Sequence, residues 1–146
     1  MPALEPFCQL LGIDFKKFSK NENILIEIDI FFRLQDKLKI YFNETSETFF
    51  KFINYGTEIQ NMMREDNLIK AIISDILSTG DYTIIGISNY TNIHLDIVSD
   101  LACGLNTKPL TIYSRKIIEL HRKVRPELYY SLAKKIISEY ELGSTN

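Results

Sequence analysis

The stretch Thr83–Gly104, TIIGISNYTNIHLDIVSDLACG, decides how this chain is read. Taken as helix, tight turn and second helix, it puts apolar or small residues wherever such a unit must bury one. Ile84, Ile87 and Ser88 face inward from the first helix, and Asn92 and Ile93 form the turn. Ile97 (or its neighbour Val98) and Leu101 anchor the second helix, and Gly104 ends it. Asn92 is the informative residue. A bend between two such helices needs one residue at positive φ, where Gly is least strained and Asn next most tolerant. Ser88 supplies the small side chain that crossing helices need at their closest approach.

Upstream, residues 4–18 read as a short helix, with Leu4, Phe7, Leu10, Leu11 and Phe15 near one face, and polar Ser19 to Glu22 breaks it. Segment 24–42, ILIEIDIFFRLQDKLKIYF, carries two patterns. Ile24, Ile26, Ile28 and Ile30 alternate as in a strand. Ile24, Ile28, Phe31, Leu34, Leu38 and Tyr41 recur at helical spacing. A long run without Gly or Pro, holding the helix formers RLQDKLK, favours one helix. A β-hairpin turning near Gln35 to Lys37 is the alternative. Capping residues at Asn43 to Ser46 predict a fresh start, a helix over Glu47 to Tyr55 and a stop at Gly56. A further helix from Thr57 to Ser78 carries the stripe Leu68, Ile69, Ile72, Ile73 and Ile76. Gly80 closes it, and Asp81 or Thr83 caps the next.

Downstream, Pro109 fixes the start of a helix with Leu110, Tyr113, Ile117, Ile118 and Leu120 on its apolar side. Pro126 starts a last helix to about Tyr140, and the tail ELGSTN frays. The expected class is all-α, with a helical subdomain over 1–66 suited to dimerisation, a second domain over 67–140 and a tail at 141–146.

Composition bounds the function. The 146 residues are 45% apolar and 25% charged, as in an ordinary globular protein, and no apolar run is long enough to span a membrane. The net charge of −2 hides a basic C-terminal third: Lys108, Arg115, Lys116, Arg122, Lys123, Arg125, Lys134 and Lys135 stand against Glu119 and Glu127. Cys8 and Cys103 lack metal-ligand spacing and suit a reducing compartment. The N-terminus lacks the pattern of a secretory signal. A cytoplasmic protein without metal or cofactor is expected. Nothing predicts an enzyme: no Ser or Cys nucleophile has a histidine pattern beside it, and no Gly-rich phosphate loop follows a strand. His94 and Asp96, two apart on a helix, face different ways.

Residues 67–123 now add up to a pattern: an apolar helix, the TIIGIS…TNIHLDIVSDLACG unit, the NTKP link, then LTIYSRKIIELHRK. This resembles the lambda-repressor-like helix-turn-helix domain of bacterial and phage regulators, over a little more than a third of the chain. Ser88 stands where that family often has Ala, and Asn92 where it usually has Gly. The resemblance implies that the second motif helix enters the major groove, presenting His94, Leu95, Asp96, Ser99 and Asp100. The strongest bidentate base readers are missing from this set, and two carboxylates would meet a negative groove. Phosphate contacts are better supplied. Thr83 can offer its hydroxyl and N–H at a helix start, Asn106, Thr107 and Lys108 occupy the loop such domains place near the backbone, and Arg115 and Lys116 follow. Asn89 and Tyr90 add contacts at the edge. The expectation is a homodimeric transcriptional regulator that binds duplex DNA mainly through phosphates. The alternative is a protein–protein interaction module in which Asp96 and Asp100 meet a basic partner.

Plainer readings stand beside these. The pattern suits three packed helices with a sharp corner, and His94 suits a solvated helix start. His121 and the RKVR cluster suit an exposed helix face. Met62 and Met63 suit gap filling. The aromatic residues Phe31, Phe32, Tyr41, Phe42, Phe49, Phe50 and Phe52 suit a core, with any excess left as a dimer surface.

Overall fold

The computed structural model describes residues 5–53, 68–106 and 109–144, with side chains described for 6–44, 68–106 and 109–140. Among these the chain is all-α, with no strand. Its elements are α1 (Glu5–Leu10), a 3-10 turn (Phe15–Lys17), α2 (Lys20–Ile53), α3 (Leu68–Ser78), α4 (Ile84–Thr91), α5 (Leu95–Cys103), α6 (Thr111–Val124) and α7 (Pro126–Ser144). No helix among the described residues is long and apolar enough to cross a membrane.

The first helix is shorter than its periodicity predicts. Gly12, at φ +77°, takes the chain out of helical geometry after Leu10, and the Asp14 carboxylate then caps a separate 3-10 turn through the Lys16 N–H at 3.0 Å. Ser19 to Glu22 does more than interrupt. The Ser19 hydroxyl accepts the Glu22 N–H at 3.2 Å, and the Glu22 carboxylate accepts the Ser19 N–H at 3.3 Å. This reciprocal capping box starts α2, and its S-x-x-E signature stood in the sequence unread.

Segment 24–42 is helical throughout, so the hairpin alternative falls away. The helix also runs on through Asn43–Ser46 to Ile53, where a break and a second helix were expected. Capping residues start a helix only where the backbone leaves helical φ/ψ, and no Gly or Pro between Lys20 and Ile53 forces it to leave. The expected apolar stripe divides between two faces. Phe31, Leu34 and Leu38 are buried, joined by Ile30 and the Glu27 side chain, while Ile24, Ile28 and Tyr41 are exposed. Gly56, Met62 and Met63 lie outside the described residues, as do the side chains of Phe49, Phe50 and Phe52.

Packing groups the chain into two units, residues 1–38 with 122–146 and residues 39–121. This differs from a division at residue 66, because the C-terminal helix packs with the N-terminal segment. In the first unit, α1 packs against α7, with the Phe7 ring edge-on to Tyr129 at 6.1 Å. The polar seam between α2 and α7 is a network. Arg33 pairs with Asp29 and Glu139, each at 3.0 Å, and its guanidinium lies 4.6 Å from the centre of the Tyr140 ring. Lys37 pairs with Glu139, and the Tyr140 hydroxyl donates to Asp29. The last helix continues to Ser144, four residues past its expected end. In the second unit, Ile69, Ile72, Ile73 and Ile76 of α3 are buried, and α5 packs against both α3 and α4.

The seam sets a pH dependence. The Tyr140 hydrogen bond, and then Arg33, hold the Asp29 carboxyl below its ordinary value, and Lys37 does the same for Glu139. Burial, with the Asp29 hydrogen bond and charge, pushes the Tyr140 phenol up to about 12. The lowered carboxylates therefore stabilise the fold above their ordinary pKa of about 4 and lose this as pH falls through their folded values. The raised phenol stabilises it fully below about pH 10 and loses this as pH rises towards 12. Arg33, Asp29 and Glu139 each keep a third to a half of their side-chain surface exposed, so both limbs are small. Urea midpoints should place Tyr140→Phe below the native chain at neutral pH, with the gap closing between about pH 10 and 12. A gap that stays constant across that range assigns Tyr140 no part in the seam.

Candidate functional site

The corner between α4 and α5 is built residue by residue. Thr83 is extended, and its hydroxyl oxygen caps α4 by accepting the Gly86 N–H at 3.0 Å. Asn92 then turns left-handed at φ 58°, ψ 31°, the one non-glycine residue at positive φ among those described. Two hydroxyls staple the turn. Thr91 donates to the Ile87 carbonyl at 2.7 Å and accepts the Ile93 N–H at 3.4 Å. Ser88 donates to the Ile93 carbonyl at 2.5 Å. Sequence reasoning valued Ser88 for its size alone, but its hydroxyl also satisfies a carbonyl freed by the turn. Ile93, Ile87, Val98 and Leu101 are buried beneath, while Ile84 and Ile97 are half-buried.

His94 starts α5. Its ring Nδ1 accepts the Asp96 N–H at 3.2 Å, and its carbonyl accepts the N–H groups of Ile97 and Val98. With Nδ1 accepting, the neutral ring carries its proton on Nε2. The side chain is 71% exposed, so that N–H is open to a partner outside the chain. Asp96, in the first turn, lies where the helix dipole favours a carboxylate. Gly104, at φ 78°, closes α5. The Leu105 N–H reaches the Asp100 carbonyl at 2.9 Å and the Gly104 N–H reaches that of Leu101 at 3.2 Å, the two bonds of a Schellman motif.

The corner therefore leaves His94, Leu95, Asp96 and Asp100 exposed at the start and along the face of α5, with Ser99 half-buried. Thr83, which caps α4, and Asn89 and Tyr90 within it are exposed too, and the Tyr90 ring stands edge-on to Tyr82 at 6.4 Å. Asn106, Arg115 and Lys116 are half-buried. Thr107 and Lys108 lie outside the described residues. The basic run is divided by packing: Arg115 and Lys116 belong to the same unit as the corner, whereas the cations from Arg122 onward belong to the other.

His121 is corrected outright. It does not share an exposed face with its basic neighbours but is fully buried, its Nε2 lying 2.7 Å from the Asp75 carboxylate of α3 and its ring stacked on Phe42 of α2. The signal was available, since His121 follows Ile117 by four and Ile118 by three on the apolar side of α6. Leu110, expected on that side, is exposed.

Among the described residues, no three His, Cys, Asp or Glu side chains gather as metal ligands would. A half-open groove of about 510 Å³ in the first unit is lined by Leu11, Ile13, Phe18, Ile26 and Ile137, with Asp14, Lys17 and Tyr140 among them. Its charges are of both signs, so it favours no class of ligand.

Two substitutions test the corner. Asn92→Gly should leave the thermal midpoint unchanged or raise it, whereas Asn92→Val should destabilise by about 1–2 kcal/mol through strain at positive φ. Ser88→Ala should cost about 1 kcal/mol by leaving the Ile93 carbonyl short of a donor. A tolerated valine means that the corner is held by something other than the left-handed residue. Comparison with known proteins finds no protein family, no curated protein and no solved structure that matches this chain.

Proposed function

We propose that α4 and α5 form a helix-turn-helix of the lambda-repressor-like kind, and that the chain binds duplex DNA as a transcriptional regulator. The observation that carries this reading is the left-handed corner at Asn92. It lets Val98 and Leu101 be buried while the face of α5 headed by His94 remains open. On this reading α5 lies in the major groove. The His94 Nε2–H donates to a phosphate or a purine acceptor, and Thr83 contacts a phosphate at the start of α4. Lys108, Arg115 and Lys116 supply cations, with Asn89, Asn106 and Thr107 as polar contacts to the backbone. Asp96 and Asp100 can accept from the amino groups of cytosine N4 or adenine N6 but have nothing to donate, so phosphate contacts dominate and sequence discrimination is modest. Two copies about a two-fold axis would set their α5 helices roughly 34 Å apart, one turn of duplex.

A second reading has its own support. Leu105, Leu110 and Ile112 are 78%, 64% and 56% exposed in the segment after α5. Large apolar side chains next to an acidic helix suit a basic, partly apolar protein partner better than a phosphate backbone.

Fluorescence anisotropy on a random duplex, titrated with salt, separates the two. DNA binding through three to five phosphates gives a slope of roughly −3 to −4.5 in log K against log salt. Lys108→Ala and Lys116→Ala should each flatten it by about 0.9. Asp96→Asn should tighten binding several-fold at low salt by removing a carboxylate from the groove. No binding at roughly 20 mM salt overturns the DNA reading and favours the protein partner.

A further inference from the structure

The face of α2 turned away from its core does not resemble an ordinary solvated helix surface. Ile24 is 48% exposed, Leu25 67%, Ile28 40% and Phe32 61%, all within the first packing unit. Positions four apart advance only about 40° around a helix and about 6 Å along it. Lys20, Ile24, Ile28, Phe32 and Asp36 therefore form one continuous row, with Leu25 widening it on one side. The two ends of the row, Lys20 and Asp36, are exposed and of opposite charge.

We infer that this row is where two copies of the chain associate, with their α2 helices antiparallel about a two-fold axis at Ile28. The row is self-complementary only in that sense. Ile28 meets its own copy, Ile24 faces Phe32 of the second copy, and Lys20 faces Asp36. Gln35 and Asn21, which flank the apolar positions, meet each other as amides. A parallel pair would instead set Asp36 against Asp36 and Lys20 against Lys20. Rows at four-residue spacing also interdigitate in the commonest class of helix crossing, which brings the two rows alongside each other. Four large side chains half in water present a patch of the size that marks a contact surface. Two such patches with their polar flanks come close to the roughly 1,000 Å² a specific interface needs, so a weak, reversible dimer is expected. The inference supplies the contact for the two-copy arrangement proposed above, but it stands on α2 alone and holds whether or not the chain binds DNA.

Sedimentation equilibrium of the full chain without DNA tests it. The native chain should show a monomer–dimer equilibrium, and Phe32→Glu or Ile28→Glu should weaken it at least tenfold with an unchanged far-ultraviolet circular dichroism spectrum, since both side chains are exposed. Lys20→Glu and Asp36→Lys should each weaken it several-fold, and the double variant should restore it. A native chain that stays monomeric at several hundred micromolar overturns the inference and leaves the row to a different protein. A dimer indifferent to Phe32→Glu, or charge reversals that fail to rescue each other, also overturns it. Because no nucleic acid is present, loss of DNA binding in Lys116→Ala leaves these outcomes untouched.

Discussion

The second packing unit depends on one residue whose backbone most side chains resist. Asn92 at φ 58° turns the chain so that α5 can lie against both α3 and α4. A right-handed conformation there would continue α4 and carry Val98 and Leu101 away from the residues that bury them. The left-handed residue costs some strain, and the surrounding bonds hold it in place. Thr91 and Ser88 tie both polar groups of Ile93, so the backbone at the bend is satisfied where helical bonding is lost. The bend is also anchored from below, because Ile93 itself is buried.

The corner was the most legible part of the sequence because its determinants are local. A left-handed position, a glycine stop and apolar residues at fixed offsets are all set within about 20 residues, and the structure places Asn92, Val98, Leu101 and Gly104 as read. The helical course of residues 24–42 was legible for a similar reason, since length and the lack of Gly or Pro outweigh a short alternation. What failed was the choice of face. On α2, Ile24 and Ile28 satisfy helical periodicity as well as Phe31 and Leu34 do, and periodicity alone cannot say which of two apolar rows meets the core. His121 failed for the opposite reason. Its basic neighbours suggested solvent, but its offset from Ile117 and Ile118 placed it inside, where the Asp75 carboxylate satisfies its ring nitrogen. That partner lies 46 residues away, beyond any local pattern.

The candidate site shows the same limit. His94 was legible as a helix start, but not the engagement of its Nδ1 by the Asp96 N–H, which decides that Nε2 is the nitrogen left to donate. Asp96 illustrates how one residue can serve the fold and burden a function. In the first turn of α5 a carboxylate opposes the exposed positive end of the helix and steadies a nine-residue element. The same negative charge repels a phosphate backbone. The Asp96 charge therefore has a structural cause that does not depend on any partner, whereas Asp100, in the C-terminal half of α5, has no such cause.

The two apolar rows of α2 carry the remaining step. A helix that is apolar on one side is explained by its own core, and here Ile30, Phe31, Leu34 and Leu38 fill that role. A second row cannot be explained in the same way, because its side chains remain in water. Isolated exposed apolar residues are ordinary, but Ile24, Ile28 and Phe32 share one row, ended by a cation and an anion. Of the charges at the two ends, Lys20 sits at the positive N-terminus, where the dipole disfavours it, and Asp36 lies in the interior of α2. The inferred dimer gives both a role, because a second row running in the opposite direction sets each charge against its complement across the axis.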